Sequence, residues 1–186
     1  MAVSSLIGLS QRRAFRKLVG DSRARLYRMA YAWTHRPDLA DDLVQQTIVK
    51  ALSNQKQLKD LGAVQAWLFR IMSNCLKDYH RAKREVLSAD ELVIVDHTTP
   101  EGEAHRRQLV IKVRDAVGRL PLAQCQVITL VDLEGFTYAN VAEILDIPVG
   151  TVMSRLCRGR RALRELLVEI KPRRETDRVA SLKSIK

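Results

Sequence analysis

From Gly150 to Arg164 the chain reads GTVMSRLCRGRRALR, a stretch with five arginines and no acidic residue. At 100° per residue, Val152, Leu156, Leu163, Leu167 and Ile170 fall on one side of a helix drawn through it, and Thr151, Ser154, Arg155, Arg158, Arg161 and Glu165 on the other. Hydroxyls and guanidinium groups together are the donor set that reads base edges and grips phosphates. A merely solvated basic helix would intersperse acids as i, i+4 partners. The acid-free run points instead to a polyanion that lies against it. Arg155 and Arg158, central on the outer face, are candidates for base reading; Arg160, Arg161 and Arg164 are candidates for phosphate.

Such a helix must be held at a fixed angle, and the preceding residues supply the device. Tyr138, Val141, Ala142 and Leu145 recur at i, i+3, i+4, i+7 and predict a short helix Tyr138–Leu145, with Thr137 placed to cap it. Asp146-Ile147-Pro148 forms a tight connection to a second helix running from Val149 to Ile170. Two helices joined by so short a turn are the layout of a helix-turn-helix, whose second helix enters the DNA major groove. Catalytic chemistry finds no comparable support. His35, His80, His97 and His105 are scattered, with no carboxylate or cysteine at ligand spacing, so no catalytic residue, metal or cofactor is expected. Cys75, Cys125 and Cys157 are odd in number and embedded in apolar helical patterns; they read as buried packing thiols in a reducing cytoplasm.

The whole chain of 186 residues carries a net charge of +11, and its charge is unevenly placed. Residues 1–85 sum to +9, residues 86–104 to −5 and residues 105–186 to +7. The middle segment, VLSADELVIVDHTTPEGEA, has no sustained helical periodicity and contains Pro100 and Gly102, so it reads as a flexible acidic linker. Few glycines and prolines interrupt the remainder. The expected fold is therefore all-α: two small helical domains, 1–85 and 105–170, the second containing the helix-turn-helix, followed by a mobile basic tail 171–186. No stretch is long and apolar enough to enter a membrane.

In the first domain the pattern predicts three helices. One is Arg23 to Trp33; the second, RPDLADDLVQQTIVKAL, starts at Pro37 and Asp38, as the helix dipole favours. Its inner stripe is Ala40, Leu43, Val44, Thr47, Ile48, Ala51 and Leu52; its outer face shows Asp41, Asp42, Gln45, Gln46 and Val49. The third, Val64 to Arg84, places Val64, Trp67, Leu68, Ile71, Cys75 and Tyr79 inward, and Arg70, Asn74, Lys77, Asp78 and Arg81 outward, ending in Lys83 and Arg84.

Taken together, the sequence resembles the extracytoplasmic-function (ECF) group of bacterial sigma factors, the two-domain subunits that direct RNA polymerase to promoters. ADDLVQQTIVKAL is similar to the group's region 2.2, AWLFRIMSNCLKDYHRAKR to regions 2.3 and 2.4, and LPLAQCQVITLVDLEGFTYANVAEILDIPVGTVMSRLCRGRRALRELL to region 4. The resemblance implies that Asp41, Asp42, Gln45 and Gln46 dock on core RNA polymerase. It implies that Lys59, Asp60, Asn74, Lys77, Asp78, Arg81 and Arg84 engage the −10 element of promoter DNA and help hold a flipped-out base. Thr151, Ser154, Arg155, Arg158 and Arg161 would read the −35 element. An anti-sigma factor clamping both domains is implied as a further partner, and the free chain is expected to be monomeric in the cytoplasm. Three departures stand out: Asn140 and Gln46 replace glutamates usual in the group, and the loop KQLKDLGAVQ lacks its customary Phe. The acidic linker could line basic channels of the polymerase or serve as a solvated tether. An ordinary helix-turn-helix regulator that binds operator DNA without polymerase is the alternative; it accounts for the second domain but not for the Trp67 helix or the Asp41 face.

Overall fold

A computed structural model describes residues 2–58, 60–86 and 106–170 of the chain. The expected linker beyond Val86, the tail 171–186 and Lys59 lie outside the described residues. The described residues are helical, in the order α1 (Ala2–Asp21), α2 (Arg23–Thr34), α3 (Pro37–Ser53), α4 (Val64–Val86), α5 (Arg106–Gly118), α6 (Leu122–Ile128), α7 (Tyr138–Leu145) and α8 (Val149–Ile170).

The first lobe has four helices where periodicity predicts three. The additional one, α1, is anchored near its C-terminal end by Phe15 and Val19, both buried, with the Phe15 ring 6.1 Å from that of Trp67. Ser22 joins α1 to α2, and its hydroxyl donates to the Leu18 carbonyl at 2.6 Å. In α3 the inner stripe holds at Leu39, Ala40, Leu43, Val44, Thr47 and Ala51. Leu52, assigned to that stripe, is instead 43% exposed, because it lies a further 100° round from Ala51 and α3 ends beside a loop rather than beneath a helix. The inner face of α4 is also displaced. Leu68, Phe69, Met72 and Leu76 are its most buried large side chains, while Trp67, Ile71 and Tyr79 form a half-buried flank. The physical reason is that α4 packs on two sides, against α3 and against α7, so one stripe is not enough.

In the second lobe both helices of the helix-turn-helix keep the bounds that the sequence predicts. Thr137 caps α7, its hydroxyl accepting from the Asn140 amide at 3.2 Å and donating to Asn140 Oδ1 at 2.7 Å. The Asn140 side chain thus turns to the capping hydroxyl in the position where the full capping box has an acid. Asp146 ends α7 in the left-handed region, at φ 57°. Between α6 and α7 the chain makes a π-helical turn, Thr129–Leu133, a feature that helical periodicity does not foresee.

The lobes do not stand apart: one hydrophobic core runs through both. Trp33 of α2 is 5% exposed and its Nε1–H donates to Thr129 Oγ1 at 2.9 Å, a buried bond between residues 96 apart in sequence. Phe69 of α4 meets Phe136 edge to face at 5.6 Å, and Arg25 pairs with Glu134. Cys125 Sγ lies 3.2 Å from the Ala32 carbonyl, and burial pushes its thiol pKa up to about 12. Gly118 closes α5 against His35: a Cβ there would come within 2.6 Å of the imidazole. Side chains of one lobe are therefore fitted to the other at each of these places.

Candidate nucleic-acid interface

The orientation of α8 is fixed from beneath. Val152 and Leu156 are buried, and Gly159, in mid-helix, allows α8 to approach α6 so closely that a Cβ would stand 2.7 Å from Ile128 Cδ1. Glycine inside a helix is intrinsically unfavourable, so its presence marks the crossing point. With that side pinned, Ser154, Arg158, Arg160, Arg161 and Arg164 are exposed, while Thr151 and Arg155 are half-buried at the near edge of the same face. All six residues that the helical wheel puts on the outer side, Glu165 among them, thus lie along one strip.

Hydrogen bonding sorts the cations further. Arg160 Nε donates to Asp132 Oδ2 at 3.1 Å, which holds the guanidinium pKa above its usual value, and Arg161 Nε donates to Glu165 Oε1 at 3.1 Å. Both are already paired. Arg158 Nε donates only to the Ser154 carbonyl at 3.2 Å, and neither it nor Arg155 has an acidic partner among the described residues. Arg155 at the near edge of the strip and Arg158 on its exposed part, with Arg164, are the cations there that no acid among the described residues answers, which is the condition for recruiting a ligand anion.

Cys157 requires a correction. Expected as a packing thiol, it is exposed on α8, whereas Cys75 and Cys125 are buried. It belongs to the rim between the buried side and the arginine strip. Native protein is expected to alkylate at one cysteine rapidly and at the other two only on unfolding. Duplex DNA should slow the fast reaction, as followed by mass spectrometry of iodoacetamide adducts.

On the first lobe Asp41, Asp42, Gln45 and Gln46 are all exposed on one face of α3, beside Val49 at 63% exposure. This is an acidic and polar surface with an exposed apolar residue at its C-terminal end, a composition suited to a protein partner. On α4 the outward residues are as predicted: Asn74, Lys77, Asp78 and Arg81 are exposed. Asp78 lies 3.6 Å from Lys50 and 3.7 Å from Arg81, so it tethers cations rather than standing alone. Lys77 Nζ donates to the Leu145 carbonyl at 2.7 Å and so caps the C-terminus of α7. It also lines, with His80, Arg81 and Leu122, a crevice of about 510 Å³ between the lobes. Arg84 lies within α4, but its side chain is outside the described ones.

Asp60 is not part of that cluster. It precedes α4, where its carboxylate accepts from the Gly62 amide at 2.9 Å, whereas Asn74 is ten residues into the helix, roughly 15 Å along. Asp60 instead borders a separate cavity of about 620 Å³, walled by α1, the end of α3 and the loop that follows. Arg12 and Arg16 line it. These two cavity-lining residues, and Gly159 at the helix crossing, are places that a reading of the sequence passes over; the i, i+4 spacing of the arginines beside buried Phe15 is the signal that the chain offers for the pair.

Known proteins place the chain among relatives. Residues 18–86 match the sigma-70 region 2 family and residues 111–163 the sigma-70 region 4 family. The chain is 36% identical over 131 residues to the ECF RNA polymerase sigma factor EcfG of Rhodopseudomonas palustris, covering 70% of this chain and 72% of that one. It is 32% identical over 161 residues to the ECF RNA polymerase sigma-E factor of Haemophilus influenzae, covering 80% and 85% respectively. Among solved structures it is similar to the sigma factor RpoE of Bartonella quintana in complex with the anti-sigma factor NepR. There the TM-score is 0.69 at 30% identity, over 83% of this chain and 97% of that one. It is also similar to CnrH in complex with the cytosolic domain of CnrY, with a TM-score of 0.60 at 26% identity, over 86% and 90%. With both sigma-70 regions present in order, and relatives above 30% identity matched over most of their length, this chain belongs to the ECF RNA polymerase sigma factors of the sigma-70 family.

Proposed function

We propose that the chain joins core RNA polymerase through the α3 face and directs promoter-specific initiation through two DNA-binding surfaces. Residues 1–85 act as the polymerase- and −10-binding domain, 105–170 as the −35-binding domain, and 86–104 as their linker. Thr151, Ser154, Arg155 and Arg158 read the −35 element, with Arg161 on phosphate after leaving Glu165. Asn74, Lys77, Asp78 and Arg81 engage the −10 element, together with Arg84 further along their helix, Asp60 and its sequence neighbour Lys59. The protein is a binding subunit without catalytic residues of its own, and its place of action is the cytoplasm. Because a similar structure, that of RpoE of Bartonella quintana, carries the anti-sigma factor NepR, a protein of that kind is the regulatory partner that best fits.

The observation that carries this reading is the pairing, in one chain, of the arginine-rich run Gly150–Arg164 on α8, which holds no acid, with the exposed Asp41, Asp42, Gln45, Gln46 surface on α3. An operator-binding regulator needs only the first. The test is gel filtration with purified core polymerase followed by run-off transcription. The wild-type chain is expected to co-elute and to select promoters. The variant D41K/D42K is expected to lose co-elution while still binding duplex DNA, since charge reversal on an interface penalises the wrong juxtaposition. Wild-type protein that binds DNA but never co-elutes would favour the operator-binding alternative.

A further inference from the structure

Beside the cations of α8 runs a second line of side chains, chemically different from them and without an assigned role. Val149, Met153 and Cys157 recur once per turn and are all exposed, Val149 at 44% and Met153 at 53%. At about 100° per residue Met153 falls between Arg160 and Arg164, about 20° from either, so it lies on the arginine strip and not behind it. Thr151 and Arg155, which the helical wheel sets outward, are half-buried, whereas Met153, which the wheel leaves aside, is exposed. The outer face of α8 is thus rotated from Arg155 toward Met153. A single exposed apolar residue is ordinary. Three at successive turns, flanking guanidinium groups on the second helix of a helix-turn-helix, call for a partner with apolar surface of its own.

On duplex DNA that line has one counterpart. Phosphates, sugar oxygens and the donor and acceptor edges of the bases all reward polar groups; the 5-methyl of thymine is the apolar group that the major groove displays. A recognition helix meets base edges with its N-terminal residues, and Val149 and Met153 belong to the first two turns of α8. Ser154 adjoins Met153 in sequence, and Arg158 follows Ser154 by one turn, so polar and apolar readers stand side by side. An unbranched thioether adapts its shape to the methyl that it meets. We infer that Met153, flanked by Val149 and Cys157, reads a thymine 5-methyl in the major groove of the −35 element and so sets a preference for thymine that does not depend on the arginines. The inference rests on the −35 reading of α8 and adds to it the chemical group that is recognised. The bonds and ring pairs that join the lobes leave these residues aside, so the line is open in the compact protein.

The test deletes the methyl and leaves every hydrogen-bonding atom of the base in place. Full-length protein selects a −35 duplex from a library of random sequences, and the selected duplex is resynthesised with deoxyuridine for its thymines, one at a time. Affinities are read by fluorescence anisotropy at fixed salt, because phosphate contacts vary with salt. At one position at least, wild-type protein is expected to bind the thymine duplex about fourfold more tightly than the deoxyuridine duplex, the worth of one buried methyl. In M153A that ratio is expected to fall to near one; in M153L, which conserves volume and apolar character, it is expected to remain. R158A is expected to weaken both duplexes by a common factor, since its bonds to a base edge do not involve the methyl. The same helix supplies a control: Val168 is 61% exposed but roughly 22 Å further along than Met153, and V168A is expected to keep the wild-type ratio. Equal binding of thymine and deoxyuridine duplexes by wild type, a selected duplex without thymine, or a ratio that M153A preserves would each overturn the proposal. If M153A keeps the ratio but no longer co-elutes with core polymerase, the line belongs to a protein partner instead. Circular dichroism establishes that each variant remains helical. The two readings fail separately: a wild-type chain that selects no duplex refutes the −35 reading itself, whereas one that selects a duplex and ignores its methyls refutes the role of Met153 alone.

Discussion

Holoenzyme containing R155A/R158A is expected to lose −35-directed initiation by roughly two orders of magnitude, while its binding to core polymerase is unaffected. A well-formed arginine bond to a base edge is worth about 1–3 kcal/mol, so removing two of them costs about 3 kcal/mol even at the lower half of that range. The structure sharpens the choice of residues. Arg160 and Arg161 already answer Asp132 and Glu165, and DNA must compete with those pairs, whereas Arg155 and Arg158 have no acid to leave. Arg158 must still give up its bond to the Ser154 carbonyl, an exposed and readily exchanged interaction. The measurement is run-off transcription on a cognate promoter and on the same promoter with its −35 element scrambled, at fixed salt. Collapse of the ratio between the two templates is the expected outcome. A preserved ratio would remove both arginines from base reading and leave them on phosphate at most, since phosphate contacts weaken all sequences alike when deleted.

The second large effect concerns the junction of the lobes. Thr129→Val keeps the shape of the side chain but deletes the acceptor of the Trp33 Nε1–H bond, leaving a buried donor unpartnered at a cost of about 1–3 kcal/mol. For a chain of this size that corresponds to a fall in Tm of roughly 2–12 °C. The location of the reporter makes the experiment decisive. Both tryptophans of the chain, Trp33 and Trp67, lie in the first lobe, whereas residue 129 lies in the second. Thermal unfolding followed by tryptophan fluorescence is expected to shift downward in T129V. An unshifted fluorescence transition beside a lowered transition for the rest of the helix content would mean that the lobes do not share a core in solution. Trp33→Phe, which removes the donor as well, is expected to make the Thr129→Val change nearly neutral, since the two substitutions act on one bond.

Much of the second lobe is legible in the sequence because its helices obey a single periodicity. Tyr138–Leu145 and Val149–Ile170 each bury one stripe against one set of neighbours, and Asp146-Ile147-Pro148 announces the break between them. The outward residues of α3 and α4 are legible for the same reason. What escapes is whatever depends on a second neighbour. Phe69, Met72 and Leu76 are deeply buried because α7 covers a side of α4 that local pattern leaves undecided. Leu52 and Cys157 err in the opposite sense, apolar residues next to a stripe but just past its edge. Helix α1 is hard to read because its C-terminal half places only Phe15, Leu18 and Val19 against the core, amid four cations. The π-helical turn at Thr129 has no sequence period at all, yet it presents the hydroxyl that Trp33 meets.

The bond between Trp33 and Thr129, with Phe69 against Phe136 and Gly118 against His35, has an evolutionary corollary. Two halves that each fill the other's hollows are poor candidates for recombination. A chimera that exchanges either half with a relative must import matching residues at all three places, or leave voids and stranded donors at the seam. Drift in this chain is thereby constrained in pairs across the join, even where neither member of a pair touches promoter or polymerase.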